Sequence, residues 1–156
     1  MIEISIPGAG ILRLKHLVMD FNGTLARDGC LLEGIHPRLG RLAAELTLHV
    51  VTADTFGEAS AQLTGLACKV RILAGDEQAS AKLAYIQKLG VDQVAAIGNG
   101  RNDVLMLRSA ALGIAVIQSE GAALEACLAA DLLVPDILAG LDLFFNPMRL
   151  IASLRA

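Results

Sequence analysis

The sequence has no tryptophan, one tyrosine and four phenylalanines in 156 residues. That leaves no row of aromatic faces on which nucleic-acid bases could stack. Charge is also sparse: 19% of residues carry one and the net charge is −3, so the basic footprint that a phosphate backbone demands is missing too. Cys30, Cys68 and Cys127 are few, odd in number and far apart. They match neither a disulfide framework nor a zinc spacing and predict incidental thiols in a reducing compartment. No run approaches the roughly 20 apolar residues that span a bilayer. The opening Met1-Ile2-Glu3-Ile4-Ser5-Ile6-Pro7-Gly8 lacks the basic start and unbroken apolar core of a secretion signal. These absences predict a cytoplasmic protein that works on neither nucleic acid nor membrane.

What the sequence has in excess is apolar residues, 54% against roughly 45–50% in average soluble domains. At 156 residues this predicts a single domain, 1–156, large enough to bury a real core. The surplus suits a parallel sheet covered on both faces and leaves room for an apolar interface between subunits. Ile2, Ile4 and Ile6 alternate with Glu3 and Ser5, the period of a half-exposed strand that Pro7-Gly8 ends. Lys15 to Phe21 is expected as the first core strand. Asp28-Gly29 suggests a turn, with Cys30-Leu31-Leu32 as a short hairpin arm behind it. Pro37 opens a helix whose Leu39, Leu42, Ala43 and Leu46 share a face. Further strands are expected at 48–52, 69–73, 94–97, 112–116 and 132–134. Helices fall between them at 56–63, 77–88, 102–110 and 122–129, and more helix follows Pro135. Strands alternating with helices imply right-handed βαβ units. The expected fold is α/β, a three-layer α/β/α sandwich around a Rossmann-like parallel sheet, without linker, repeat or low-complexity tract.

Within that frame one stretch stands out: His16-Leu17-Val18-Met19-Asp20-Phe21-Asn22-Gly23-Thr24-Leu25. An apolar run delivers a carboxylate and turns at once. Open α/β sheets place their chemistry at the carboxyl ends of the strands, and the turn after Asp20 offers a backbone nest, Asn22-Gly23-Thr24, for an anion. Asn-Gly between apolar residues is equally a hairpin signal, and the decapeptide alone leaves both readings open. Three more strand-end or helix-start positions line up with it: Thr52, Lys82 and Gly98-Asn99-Gly100-Arg101-Asn102-Asp103. Singly, each has an ordinary explanation: a strand-end hydroxyl for Thr52, a solvated helix lysine for Lys82, turn chemistry for Asn99-Gly100 and a charge favouring a helix start for Asp103.

Taken together and in this order, Asp-Phe-Asn-Gly-Thr-Leu, a strand-final Thr, a later Lys and Gly-Asn-Gly-Arg-Asn-Asp resemble the four motifs of the haloacid dehalogenase superfamily. They cover the chain from about residue 15 to residue 134. The resemblance implies Asp20 as a nucleophile that forms an aspartyl-phosphate, with Thr52 donating its hydroxyl to the phosphoryl oxygens. It implies Lys82 as the group that holds Asp20 ionised and adds positive charge to the transition state. Asp103 and Asn99, with Asp20 and the backbone carbonyl of Asn22, would hold Mg²⁺, and Gly23, Thr24, Ala53 and Asn102 would contact the phosphate. The partner it implies is a small phosphorylated substrate.

Two departures from the motifs bear on activity. Most phosphatases of the superfamily carry a second Asp two residues after the nucleophile as general acid and base; here it is Asn22, and an amide does not shuttle protons. Asn99 replaces a usual Asp, which removes one anionic charge from the metal site. The phosphorylation domains of P-type ATPases lack the second acid as well, and Thr52-Ala53-Asp54 resembles their Thr-Gly-Asp. The implied protein is therefore a P-type-ATPase-like phosphohydrolase with slow turnover, favouring aryl or acyl phosphates. The alternative is a binding or regulatory module on the same fold. The intervals 20–52 and 52–82 are too short for a cap domain, so the site is expected to be open unless a neighbouring copy in a dimer or tetramer covers it. The hairpin at 28–32 and the apolar tail, Ile137-Leu138 through Leu141 and Leu143-Phe144-Phe145, are candidate contact surfaces; for the tail, covering its own sheet is the favoured reading.

Overall fold

The computed structural model describes residues 1–53 and 58–156. Its centre is a six-stranded parallel sheet in the order β10-β9-β8-β3-β6-β7. The strands are β3 (His16–Met19), β6 (Thr47–Thr52), β7 (Cys68–Ile72), β8 (Val94–Gly98), β9 (Leu112–Val116) and β10 (Leu132–Val134). β3, β8 and β9 read as short apolar runs because both their faces are covered. Leu17, Met19, Leu48, Val50, Ala95, Ile97, Ile114 and Val116 point into one buried cluster, while Val18, Val51, Ala96 and Ala115 point into another. The edge strand β7 alternates instead, and exposed Lys69 and Arg71 keep it from templating a further strand.

Helices fill the two outer layers. On one face lie α1 (Ile35–Leu42), α6 (Ile137–Phe145) and α7 (Pro147–Leu154), with α2 (Glu58–Gln62) beside them; on the other lie α3 (Gln78–Leu89), α4 (Val104–Ser109) and α5 (Leu124–Ala129). α1 buries Ile35, Leu39 and Leu42, an i, i+4, i+7 stripe. The tail covers its own sheet, the favoured of its two readings: Ile137, Leu141, Phe144 and Leu150 belong to the core. No single helix among the described residues is long and apolar enough to cross a membrane.

The chain leaves β3 toward β6 and β7, then crosses back to place β8 on the other side of β3. The crevice at the carboxyl ends of β3 and β8 is thus the topological switch point, where open α/β sheets bind ligands. Between β3 and β6 stand only α1 and a two-stranded hairpin, β4 (Ala26–Arg27) and β5 (Cys30–Leu31). Its Asp28-Gly29 turn has both residues at positive φ, +51° and +76°, the backbone of a tight hairpin turn. No cap domain separates these strands.

Two features differ from expectation. Ile2–Ile6 (β1) is not a lone strand: it pairs antiparallel with β2 (Gly10–Leu14), and Pro7-Gly8 is the turn between them. The alternation of Ile11, Leu12, Arg13 and Leu14 is too irregular to be read as a strand by pattern alone. The helix after Gly100 starts as a single 3-10 turn, Arg101–Asp103, before α4. The expected helix start at Phe56, and Asp54, lie outside the described residues.

Candidate active site

Asp20 stands one residue past β3, at the point where the chain turns away from the sheet. Its N–H donates to the Ile97 carbonyl of β8 (3.0 Å), so the ladder still fixes its backbone while its side chain clears the strand end. β3 and β6 are in register with Met19 opposite Val50, which puts buried Thr52 at the neighbouring strand end, with Ala53 after it.

Lys82 is fully buried on α3. Its ammonium donates to Oδ1 of Asp20 at 2.7 Å and to Oδ1 of Asp103 at 2.6 Å, so the solvated-lysine explanation does not apply. Burial works against this charge, and the two carboxylates more than offset it, holding Lys82 above the usual lysine range. Asp103 is equally enclosed. Its second oxygen accepts from the N–H groups of Asn99 (3.0 Å) and Gly100 (2.9 Å), which ties the 98–103 loop into a closed turn. A Cβ on Gly98 would meet Asp103 Cγ at 2.4 Å, so glycine there is what lets the carboxylate tuck behind the strand end.

Two carboxylates and one ammonium leave an excess of one negative charge in an enclosed volume. Asp20 registers it: burial first, then the Asp103 charge, push its pKa up to about 7, against the pull of Lys82 and of the Phe21 N–H. A cation beside Asp20 relieves that cost. Besides Asp103, the ligands expected from the motifs are the Asp20 carboxylate, the Asn22 backbone carbonyl and the Asn99 amide oxygen, all hard oxygens. Mg²⁺ is commonly held by one or two carboxylates with waters and a substrate phosphate, so this donor set fits it, with little charge to spare. Among the described residues no three acidic, histidine or cysteine side chains form a metal-holding group.

Asp103 accepts from Lys82 on one oxygen and from the Asn99 and Gly100 N–H groups on the other, which makes it the counter-charge that orients Lys82. Gly23 and Thr24 spend their N–H groups inside the turn, on the carbonyls of Ala26 (2.8 Å) and Phe21 (3.2 Å). The N–H that reaches the Asp20 carboxylate is that of Phe21. Gly23 also makes room for its neighbour: a Cβ there would lie 2.5 Å from the Asn99 amide. Asn99 donates through Nδ2 to the Gly121 carbonyl (3.1 Å), which turns its oxygen toward the Thr24 hydroxyl (3.5 Å). The Asn22 side chain is exposed at the mouth of the crevice. Asn102 lies over Gly100, its Oδ1 2.6 Å from where a Cβ on that glycine would be.

Sequence reasoning passed over Gln118. It follows β9 by two residues, and its side chain bridges three backbone groups: Nε2 donates to the carbonyls of Gly23 (3.0 Å) and Thr24 (2.7 Å), and Oε1 accepts from the Ile137 N–H (3.0 Å). An amide just beyond the carboxyl end of a buried parallel strand was the available signal.

A family model described as haloacid dehalogenase-like hydrolase matches residues 77–130, the stretch that carries Lys82 and the 98–103 loop. An uncharacterized protein of Methanocaldococcus jannaschii is 44% identical over 79 residues, spanning 48% of this chain and 85% of that protein. Among solved structures, a 3-deoxy-D-manno-octulosonate 8-phosphate phosphatase from Moraxella catarrhalis, in complex with magnesium, phosphate and the sugar acid, superposes with a TM-score of 0.71 at 17% identity, over 90% of each chain. The cobalt-bound form of the corresponding phosphatase from Haemophilus influenzae gives 0.71 at 15% identity, over 92% of this chain and 94% of that one. At such identities the likeness is one of fold.

Proposed function

We propose that this chain, whose residues 77–130 match the haloacid dehalogenase-like hydrolase family, is an Mg²⁺-dependent phosphohydrolase working through an aspartyl-phosphate on Asp20. The observation that carries the proposal is the buried ammonium of Lys82 held between Asp20 and Asp103. A buried lysine with two carboxylate partners at a topological switch point is costly to assemble and suits a site that must keep a carboxylate ionised and meet an incoming phosphate with positive charge.

In the first step an oxygen of the Asp20 carboxylate attacks phosphorus, the P–O bond to the leaving group breaks, and the phosphoryl group is carried as a mixed anhydride on Asp20. Lys82 keeps Asp20 anionic before attack and neutralises charge on the phosphoryl oxygens as they pass, and the Thr52 hydroxyl donates to the same oxygens. In the second step water attacks phosphorus, inorganic phosphate leaves and the carboxylate is restored. Mg²⁺, held by Asp20, the Asn22 carbonyl and Asn99, would supply Lewis-acid stabilisation of the transferring group.

Asn22 decides which substrates turn over. An alkoxide needs a proton as it departs, and the attacking water must lose one; the Asn22 amide does neither. Phenolates and carboxylates leave without that help, so aryl and acyl phosphates are the proposed substrate class. A second reading, a binding or regulatory module with a long-lived phosphorylated state, draws support from Asn22 and from the Asn99 amide locked on Gly121. A screen of aryl, acyl and alkyl phosphates with Mg²⁺, run beside Asp20→Asn, tests the proposal. Hydrolysis of the first two classes, abolished by the substitution, is expected. Activity that survives Asp20→Asn contradicts the enzyme reading, and phosphorylation without release favours the module.

A further inference from the structure

The turn 118–121 touches the loop after β3, the 98–103 loop and the β4–β5 hairpin. Gln118 holds the carbonyls of Gly23 and Thr24. The Gly121 carbonyl takes the Asn99 amide, and Ala123 N–H donates to the Asn99 carbonyl (2.8 Å). Arg27 and Asp28 of the β4–β5 hairpin meet Ser119 (3.5 Å) and Glu120 (3.3 Å). The turn is itself closed by Gly121 N–H donating to the Gln118 carbonyl (2.8 Å), and α6 anchors it through Ile137 N–H on Gln118 Oε1.

From this arrangement we propose that Gln118 is a positioning residue for phosphoryl transfer: its side-chain amide sets the backbone of the loop that follows Asp20, and with it the Asn22 carbonyl assigned above to the Mg²⁺ site. The inference rests on the phosphohydrolase reading.

The orientation of the amide is dictated by its partners. Nε2 lies against two carbonyls and must donate; Oε1 lies against an N–H and must accept. The reverse orientation would set two pairs of like groups against each other. Gln118 therefore fixes the planes of two consecutive peptides, 23–24 and 24–25. The preceding peptide, 22–23, is fixed by Gly23 N–H on the Ala26 carbonyl, and since the peptide is planar and trans, the Asn22 carbonyl points away from Ala26. Without Gln118 two carbonyls of this tight loop lose their donor, and the glycine between Asn22 and Thr24, at φ +79°, has the freedom to swing. Partners one step removed from a metal or a reacting group are worth roughly 10–100-fold in affinity or activity.

Two substitutions separate positioning from plain structural support. Gln118→Glu keeps an acceptor for Ile137 N–H but turns the donor into an oxygen facing two carbonyls. Gln118→Leu removes both functions but adds no charge opposite the two carbonyls, so the two variants perturb thermal stability by different routes. The measurement is the rate at which Asp20 becomes phosphorylated by acetyl phosphate at saturating concentration, together with the Mg²⁺ concentration for half-maximal rate. Positioning predicts that both variants lose about tenfold or more in rate and need more Mg²⁺, to similar extents, although their melting temperatures differ. A Gln118→Glu variant that matches wild type in both quantities overturns the proposal, and so does a loss that merely tracks melting temperature. Should wild type itself acquire no phosphoryl group on Asp20, the phosphohydrolase reading fails first and takes this inference with it.

Discussion

Replacing Lys82 by Met removes an ammonium from between two buried partners at 2.7 and 2.6 Å: Lys82 and Asp103 are 0% exposed and Asp20 is 7% exposed. Met fills nearly the same volume, so packing is conserved and the change is one of charge. Before substitution the cluster carries an excess of one negative charge; after it, two bare carboxylates. Breaking a buried pair from one side costs about 3–5 kcal/mol, a large share of the roughly 5–15 kcal/mol by which domains are stable. At about 2–4 °C per kcal/mol for a chain of this size, the melting temperature should fall by roughly 6–20 °C. A thermal unfolding series with and without Mg²⁺ reads the effect. Removing the second carboxylate's charge as well, in Lys82→Met with Asp103→Asn, should recover part of the loss, because the amide oxygen still accepts from the Asn99 and Gly100 N–H groups and one buried like charge is gone. Mg²⁺ should also raise the melting temperature of Lys82→Met by more than it raises that of wild type. A Lys82→Met protein that melts within a degree or two of wild type would refute the charge accounting on which the site rests.

Asn22→Asp should raise hydrolysis of alkyl phosphates, within the roughly 10²–10⁴-fold that general acid–base catalysis supplies, while the Mg²⁺ requirement stays unchanged; steady-state assays on an alkyl and an aryl ester check the contrast, and an equal gain on both would count against the assigned role. Gly98→Ala places a methyl group 2.4 Å from Asp103 Cγ and should cost about 1–3 kcal/mol by overpacking and depress phosphorylation of Asp20; denaturant titration and a phosphorylation assay measure the two. His49 sits under α3 between His16 (3.1 Å) and the Tyr85 hydroxyl (2.8 Å), and burial first, then the His16 and Lys69 charges, push its pKa down to about 4. The unfolded chain protonates near 6.5 and the folded one resists, so this contribution is complete above pH 6.5 and is lost as pH falls toward 4. The stability gap between wild type and His49→Gln should therefore narrow between pH 7 and pH 4.5, and a gap that stays constant would rule the assignment out.

The core of the fold was legible because its signals are strong and local. β8 and β9 are unbroken apolar runs, Gly90 punctuates α3, and Asp28-Gly29 needs positive φ, so each could be placed from residues alone. The β1–β2 hairpin was missed because Gly10–Leu14 lacks a clean period, and its pairing is settled by packing on α7 and the core. In the site, residue types identified Asp20, Lys82 and the 98–103 loop, but not which oxygen each partner takes. That Asp103 is consumed by Lys82 and two backbone N–H groups follows from Gly98 letting it tuck in, a three-dimensional fact. Gln118 went unnoticed for a related reason. Its three partners are backbone groups 19 to 95 residues away, and one glutamine after a strand carries no such information.

The central claim is that Asp20 carries the phosphoryl group, and trapping that group tests it most directly. Protein incubated with acetyl phosphate and Mg²⁺, quenched in acid and reduced with borohydride, should show homoserine in place of aspartate at position 20 on peptide mass spectrometry, and the Asp20→Asn protein should show no modified residue. Modification at another aspartate, or none in wild type while phosphate is released, would contradict the account.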